Sequence, residues 1–147
     1  MTNEMHEFRR AYFAQTGRMA REAMETKARS GIYPLRLPIG YKRVFVEGEE
    51  RVELDPQTAL IIKLAFELII RKRSSLSKVL VAVRAKGLKG HSGQPISLSA
   101  LHRLLTNSFY FGDYTYHARV VKGNHRPLVS RDVWNLVSSA LRGRIRR

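Results

Sequence analysis

The polar side chains of the segment SLSALHRLLTN could read the edges of base pairs. An α-helix capped by Ser97 would leave Ser99, His102 and Arg103 on the face opposite its leucines. An α-helix fits the major groove, and arginine bound bidentately to guanine is the commonest base-specific contact. We predict that this helix reads the major groove. The plainer alternative is that Ser97 only caps the helix and Arg103 contacts phosphate. The predicted buried face consists of Leu98, Leu101, Leu104 and Leu105.

A basic loop, LKGHSGQPI, precedes this helix and extends the same prediction. Lys89, His91 and Gln94 would hold the DNA backbone or reach bases. The segment SSLSKVLVAVRAKG before the loop predicts another helix, capped by a serine and ended by Gly87 in the left-handed conformation. Two helices joined by a loop resemble a helix-turn-helix unit, with a longer connection than is usual.

The segment GIYPLRLPIG, residues 31–40, predicts a second kind of contact. Its two prolines favour a polyproline II path of about 3 Å per residue, so the segment would span nearly 30 Å. Lying along the minor groove, it would let Arg36 sense groove width and A·T-rich sequence, while Leu35 and Leu37 contact sugars. The alternative is a rigid linker that packs its leucines on the domain.

Basic residues dominate the second half of the chain. The sequence has 27 Lys and Arg against 12 Asp and Glu, a net charge of +15. Residues 68–147 hold 16 of the basic side chains and two acidic ones, a net charge of +14. Such an excess favours nucleic acid as partner, with a membrane surface as the other candidate. Eight basic side chains are predicted to contact phosphates: Lys42, Arg43, Lys78, Arg84, Lys86, Arg119, Lys122 and Arg126. Any one of them could instead be an ordinary solvated side chain.

The sequence offers no set of residues suited to catalysis or metal binding. It has no cysteine, which excludes disulfides, thiol catalysis and cysteine-ligated zinc. Asp113 and Asp132 are the only carboxylates of the basic half, and no serine is marked as a nucleophile by a His and Asp pattern. His117 and His125 lack a nearby third ligand. We therefore predict no catalytic residue, no metal and no cofactor for this chain.

The aromatic residues and the hydropathy of the sequence bear on two other kinds of partner, single-stranded nucleic acid and membrane. Tyr110, Phe111, Tyr114 and Tyr116 could stack on single-stranded bases, but their alternation favours a place in the core. No apolar window approaches the 18 residues of a membrane-spanning helix, so we expect no membrane partner and a cytoplasmic location.

The elements that position these residues are predicted to be mostly helical. A first helix should begin at Asn3 and end near Ser30, and such a helix of about 40 Å should project from so small a chain. A β-hairpin is predicted over residues 41–46 and 51–54. The fold class is therefore mainly α with a small β-ribbon (α+β), a helix-turn-helix-like DNA-binding domain with a projecting N-terminal helix.

The remaining elements complete this prediction. Asp55 should cap a helix with Pro56 at its first position. One or two short strands should surround Tyr114, and a last helix should cover residues 130–141 before a tail with four arginines. The predicted apolar face of the helix after Asp55 consists of Ile61, Leu64, Ala65, Leu68 and Ile69.

The order of these segments resembles the recombinase domain of the large serine recombinases, the phage integrases and transposon resolvases of that group. The resemblance covers roughly residues 28–141. Ile96 stands where an aromatic residue is common in the family, and Ser108 where proline is usual. The segments that carry the resemblance are ARSGIYPLRLPIGYKRV, LDPQTALIIKLAFELII, SSLSKVLVAVRAKGL, ISLSALHRLLTNSFYFGDY and HRPLVSRDVWNLVSSAL.

The resemblance implies a place in a larger enzyme. The family's catalytic module, with its nucleophilic serine, would precede this chain, and a zinc ribbon with a coiled coil would follow it. The parent's reaction would be DNA strand exchange through a phosphoserine link, which this chain alone should not perform. In that picture residues 1–30 are a connecting helix, 31–40 an extended linker, 41–141 the DNA-binding domain and 142–147 a basic tail.

The sequence thus predicts binding of double-stranded DNA at a recombination half-site. Other recombinase protomers would be contacted through the parent's catalytic domain, and the isolated chain would be a monomer or weak dimer. The expected setting is the nucleoid of a prokaryote, with the gene carried by a prophage or another mobile element. The alternatives are a non-enzymatic DNA-binding regulator or recombination accessory factor, and an RNA-associated basic protein.

Overall fold

The computed structural model describes residues 3–145. Five helices and two separate antiparallel hairpins make up the mainly α, α+β fold that the sequence predicts. The elements are α1 (Asn3–Arg29), β1 (Tyr41–Val46), β2 (Glu49–Leu54), α2 (Pro56–Arg71), α3 (Leu76–Ala85), α4 (Leu98–Leu105), a 3₁₀ turn (Ser108–Phe111), β3 (Asp113–Tyr116), β4 (Arg119–Lys122) and α5 (Arg131–Ile145).

Helix α1 projects from the rest of the chain, as its length predicts. All of residues 3–23 except Gly17 are exposed, and the helix continues through Gly17 without a break. Burial begins only near the end of the helix, where Ala28 is 2% exposed. The exposed apolar side chains of α1 are Met5, Phe8, Tyr12, Phe13 and Met19.

Strands β1 and β2 form the predicted hairpin around a turn of two residues. Val46 pairs with Glu49, and both Glu47 and Gly48 have positive φ, 53° and 82°. This is the combination that joins two twisted strands most directly. The second strand therefore starts two residues earlier than predicted, because Glu47 adopts a conformation that glutamate rarely takes.

Helix α2 lies at the centre of the fold. Asp55 has the extended conformation of an N-cap and Pro56 begins the helix, as predicted, although the Asp55 side chain makes no capping hydrogen bond. Of the predicted apolar face, Ala65 and Ile69 are buried, and Ile61 and Leu68 are half-buried against the core. Leu64 is half-buried and is not part of the core cluster. Because α2 packs against both α3 and α5, its buried face is broader and centred differently. The buried residues are Ala59, Ile62, Ala65, Phe66 and Ile69.

Helices α3 and α4 begin and end where the sequence predicts. Ser75 accepts a hydrogen bond from the Lys78 backbone, and Ser97 caps α4 in the same way. Gly87 follows α3 with φ +89°. Leu98 was predicted to be buried but is 43% exposed, because it is the first residue of α4 and precedes the first buried position, Leu101.

The C-terminal region adds the second hairpin and the last helix. Strands β3 and β4 pair around a turn of His117 and Ala118, and Ser130 caps α5 through the Val133 backbone. Helix α5 continues to Ile145, four residues beyond the predicted end, so the beginning of the predicted tail is helical. The last two arginines of that tail lie outside the described residues.

The core contains many aromatic rings. Tyr110 and Tyr114 are buried and Tyr116 is half-buried against them, so these three residues belong to the core rather than to an exposed stacking platform. Phe111 is half-buried and packs edge-on against Trp134. His125 is also buried, stacked on the Phe109 ring at 3.7 Å, with its Nε2 atom 2.7 Å from the Phe109 carbonyl oxygen.

Two kinds of feature are not found among the described residues. Between residues 3 and 145 no helix is both long and apolar enough to cross a membrane. Within the same range no three His, Cys, Asp or Glu side chains are grouped as metal ligands would be.

Candidate nucleic-acid interface

A groove of about 260 Å³ separates residues 31–40, called the linker below, from helix α4. The linker contributes Pro38 and Ile39 to one wall, and α4 contributes Ala100, Arg103 and Leu104 to the other. Both segments were predicted to contact DNA, and the fold places them side by side. The groove is completed by Gly90, His91, Ile96, Asn107 and Tyr110.

The exposed face of α4 differs in part from the predicted reading face. Ser99 and Arg103 are exposed, as base contacts require. His102 is half-buried, and its Nε2 atom is shielded from solvent without a hydrogen-bond partner among residues 3–145. Leu98 lies beside these residues in a shallow depression. The spacing of the leucines had placed Leu98 with the core, so its exposure beside Ser99 and Arg103 was not predicted.

The connection between α3 and α4 is compact in spite of its length. Lys89 and Pro95 form a β-bridge, and the Gly90 backbone donates to the Gln94 carbonyl at 2.8 Å. This turn exposes Lys89, His91 and Gln94, the side chains predicted to reach DNA. Partial desolvation, together with the charge of Arg36, lowers the pKa of His91. The turn and the linker are therefore neighbours, and His91 is mostly neutral at pH 7.

The linker is docked on the domain by its backbone. The Tyr110 hydroxyl donates to the Ile39 carbonyl at 2.6 Å, and burial raises the pKa of Tyr110, so this donor stays protonated. Asn124 holds the start of the linker, with its side-chain amide 2.6 Å from the Ser30 carbonyl and its backbone N–H 2.9 Å from the Gly31 carbonyl.

Because the linker is held against the domain, some of its side chains face the core and others face solvent. Leu37 is half-buried against the core, which is the rigid-linker alternative and not the predicted sugar contact. Leu35 is 44% exposed, and Arg36 is exposed. Only Leu35 and Arg36 of the three predicted minor-groove residues face outward.

Arg43 has a structural role in place of the predicted phosphate contact. Its guanidinium donates to the carbonyls of Tyr33, at 2.7 Å, and Leu35, and it forms an ion pair of 3.0 Å with Glu50. Glu50 also pairs with Lys27 at 2.5 Å, and a hydrogen bond from Lys27 is the main cause that lowers the pKa of this carboxyl group. Arg43 and Glu50 thus fasten both the linker and the end of α1 to the first hairpin.

The other predicted phosphate contacts remain available. Arg84 donates through Nε to the Ile96 carbonyl at 2.8 Å, which orients its guanidinium beside the turn before α4. The remaining six are exposed and form no ion pair with any residue of the described range: Lys42, Lys78, Lys86, Arg119, Lys122 and Arg126.

Sequence reasoning missed the residues that hold the linker and α1 in place. Tyr114 donates to the Ala28 carbonyl at 2.5 Å across 86 positions, and Asn124 reaches Ser30 across 94. Their partners are backbone carbonyls, which carry no sequence signal. Asn124 lies in none of the motifs or charged segments that marked candidate functional residues in the sequence.

A protein-family model described as Recombinase matches residues 56–144, more than half of the chain. The chain belongs to the Recombinase family. The match begins at α2 and extends into the last turns of α5, so it includes α3, the turn and α4. No curated protein matches the sequence significantly.

Two solved structures share the fold of this Recombinase family member. The first, described as an LSR–DNA complex, is 18% identical with a TM-score of 0.64, over 85% of this chain and 39% of that one. The second, described by the sequence requirements of the Listeria innocua prophage attP site, is 20% identical with a TM-score of 0.59, over 83% of this chain and 51% of that one. The chain therefore spans about half or less of the length of these neighbours.

Proposed function

We propose that this chain is a DNA-reading part of a serine site-specific recombinase and binds one half of a recombination site. The observation that carries the proposal is the groove between the linker and α4. The linker and α4 line it together, and each carries an exposed arginine, Arg36 and Arg103, as binding of adjacent grooves requires. Membership of the Recombinase family and the net charge of +14 on residues 68–147 support the same function.

In this proposal α4 enters the major groove and the linker follows the minor groove. Ser99 and Arg103 contact base edges from the exposed face of α4, with His102 at its margin. Arg36 and Leu35 contact the minor groove, and Leu37 supports them from the domain side. Lys89 and Gln94 extend from the turn, and the exposed lysines and arginines of β1, α3 and the second hairpin hold phosphates.

The wider role also belongs to the proposal. Residues 1–30 connect to a catalytic module, residues 31–40 read the minor groove, residues 41–141 form the DNA-binding domain and residues 142–147 add basic charge. Strand exchange, with a phosphoserine link to DNA, is the activity of the parent recombinase. The contribution of this chain is to select double-stranded DNA and orient it, which requires neither a metal nor a nucleophile of its own.

Selection from random duplexes tests the proposal. The purified chain is incubated with the library at about 150 mM salt, where non-specific phosphate binding is weak. We expect a motif of roughly ten or more base pairs, with guanine in its outer part and an A·T bias in its inner part. Tight binding at low salt that enriches no motif would contradict sequence-specific recognition and favour an accessory or RNA-associated role.

Two substitutions and a matched control locate the contacts within that motif. Arg103→Ala should remove the guanine preference, and Arg36→Ala should remove the A·T bias, each without affecting the other. Arg51→Ala is the control, because Arg51 is also exposed but lies on the acidic hairpin, near Glu49. An equal, sequence-independent loss in all three variants would show that the arginines act only through charge.

A further inference from the structure

The groove between the linker and α4 has the composition of a site for one sugar and phosphate. Pro38, Ile39, Ala100 and Leu104 give it apolar walls. His91, Arg103 and Asn107 add polar atoms, and none of its lining residues is acidic. A deoxyribose phosphate has the matching character, since the sugar is largely apolar and the phosphate is an anion.

Three basic side chains lie in or beside this groove. Within residues 3–145, the side chains of Arg36, His91 and Arg103 form no hydrogen bond or ion pair with one another or with the rest of the protein. Arg36 comes from the linker side and lowers the pKa of His91, and Arg103 comes from the α4 side. Positive charge therefore flanks the groove on two sides.

Asn107 lines the same groove and carries an amide donor. Its Oδ1 atom accepts a hydrogen bond of 3.0 Å from the Phe109 backbone, and its carbonyl accepts one of 3.0 Å from the Trp134 indole. These bonds hold the residue in place and leave the amide Nδ2 atom, which can only donate, without a partner among the described residues. A donor held in this way suits an anionic oxygen.

The geometry of B-DNA supplies the remaining step, which rests on the proposed function. One sugar–phosphate strand always separates a minor groove from the adjacent major groove. If the linker lies in the first and α4 in the second, that strand must pass between them, and the space between them is this groove. Its walls come from the two segments that would lie on either side of the strand.

We propose that the groove is a binding site for one deoxyribose phosphate of that strand. His91 and the Asn107 amide donate to the phosphate oxygens, and Pro38 and Ile39 contact the sugar. Arg36 and Arg103 flank the phosphate on the minor-groove and major-groove sides. By holding the strand that lies between the linker and α4, this site fixes the position of both segments along the DNA.

The test pairs a charge change in the protein with a charge removal in the DNA. Asn107→Asp keeps the side-chain oxygen that accepts from Phe109 but replaces the donor with an anion. On the duplex selected by the wild-type chain, we expect about tenfold or greater weakening beyond that of Asn135→Asp. Asn135 is exposed on α5, so that variant has the same net charge without lining the groove. Equal melting temperatures of the two variants establish that both are folded.

Neutral methylphosphonates are then placed one at a time along each strand of that duplex. A single position should restore Asn107→Asp to within about threefold of the wild-type chain, because only there does the methylphosphonate remove the phosphate charge that repels the introduced carboxylate. Rescue at no position, or equal rescue at every position, would overturn the site. Failure of the wild-type chain to select any duplex would instead contradict the proposed function.

A second variant covers the case in which Asn107→Asp does not fold. His91 is exposed and makes no hydrogen bond within the described range, so His91→Ala should leave folding intact. Wild-type affinity should fall at one strand position of the methylphosphonate more than at its neighbours, and this penalty should shrink by half or more in His91→Ala. A penalty that is undiminished in His91→Ala at every position would overturn the proposal.

Discussion

Replacement of Gly40 by alanine should destabilise the junction between the linker and the domain. Gly40 has φ +105°, a conformation in which an L-residue is strained by about 1–3 kcal/mol. An added Cβ would lie 2.9 Å from Cδ1 of Ile62, which is fully buried. Turning that side chain away from its rotamer costs about 0.5–1.5 kcal/mol. Reduced freedom of the unfolded chain offsets about 0.4–1 kcal/mol, which leaves a net loss of about 2 kcal/mol in the free energy of unfolding.

Gly48→Ala is the matched control. Gly48 has φ +82° in the hairpin turn, and an added Cβ would meet nothing within 4 Å. This variant has the backbone strain without the steric clash, so we expect its free energy of unfolding to fall by about 1 kcal/mol. Urea unfolding followed by circular dichroism measures both variants, and with an m-value of about 1–3 kcal/mol/M their midpoints should be separable.

A third variant isolates the contact with Ile62. Ile62→Val removes Cδ1 at a cost of its own of about 0.5–1.5 kcal/mol, so Gly40→Ala added to Ile62→Val should cost only about as much as Gly48→Ala costs in the wild-type chain. The reasoning is refuted if Gly40→Ala costs no more than Gly48→Ala, or if the Ile62→Val and Gly40→Ala effects simply add. Either result would mean that the linker does not join the domain against α2 as described.

Three further outcomes follow from the structure. Gly17→Ala should stabilise α1 by about 0.5–1 kcal/mol, because Gly17 is helical with open space around it. The helical circular dichroism signal should then persist to higher temperature, and an unchanged or lower unfolding temperature would contradict a helix that continues through Gly17. Burial lowers the pKa of His125, against opposing effects of the Phe109 carbonyl and Asp113, so His125 takes up a proton at higher pH in the unfolded chain than in the folded one. The melting temperature should therefore fall as pH is lowered from about 7.5 to 5.5. A constant melting temperature over that range would refute this prediction. Log affinity for DNA should fall with log salt with a slope near −5 to −7 if about six to eight phosphates are neutralised, and a slope near −2 would show that the charge asymmetry is not used in binding.

The helices were predictable because their ends are encoded locally. Ser75, Ser97 and Pro56 mark helix starts by capping or ring geometry, and Gly87 marks an end by its positive φ. The prediction of the first hairpin was less accurate, because the pairing of its strands depends on Glu47 adopting a conformation more typical of asparagine or glycine. The end of α5 was placed too early because nothing in RGRI interrupts a helix strongly.

The candidate site was predictable as a set of residues but not as an arrangement. Exposed positions such as Ser99 and Arg103 follow from helical periodicity. The role of Arg43 does not, because its partners include backbone carbonyls eight and ten positions away. Leu37 and Leu35 occur in nearly identical sequence surroundings, and only tertiary packing decides that one faces the core and the other faces outward.

The central claim is that the linker and α4 occupy adjacent grooves of one DNA site. Dimethyl sulfate protection tests it directly, because the reagent methylates guanine N7 in the major groove and adenine N3 in the minor groove. On the selected duplex we predict protection of guanine N7 in the outer part and of adenine N3 in the inner part, with adenine protection lost in Arg36→Ala. Protection of guanine alone, with every adenine N3 still reactive, would contradict the minor-groove role of the linker and with it the two-groove account.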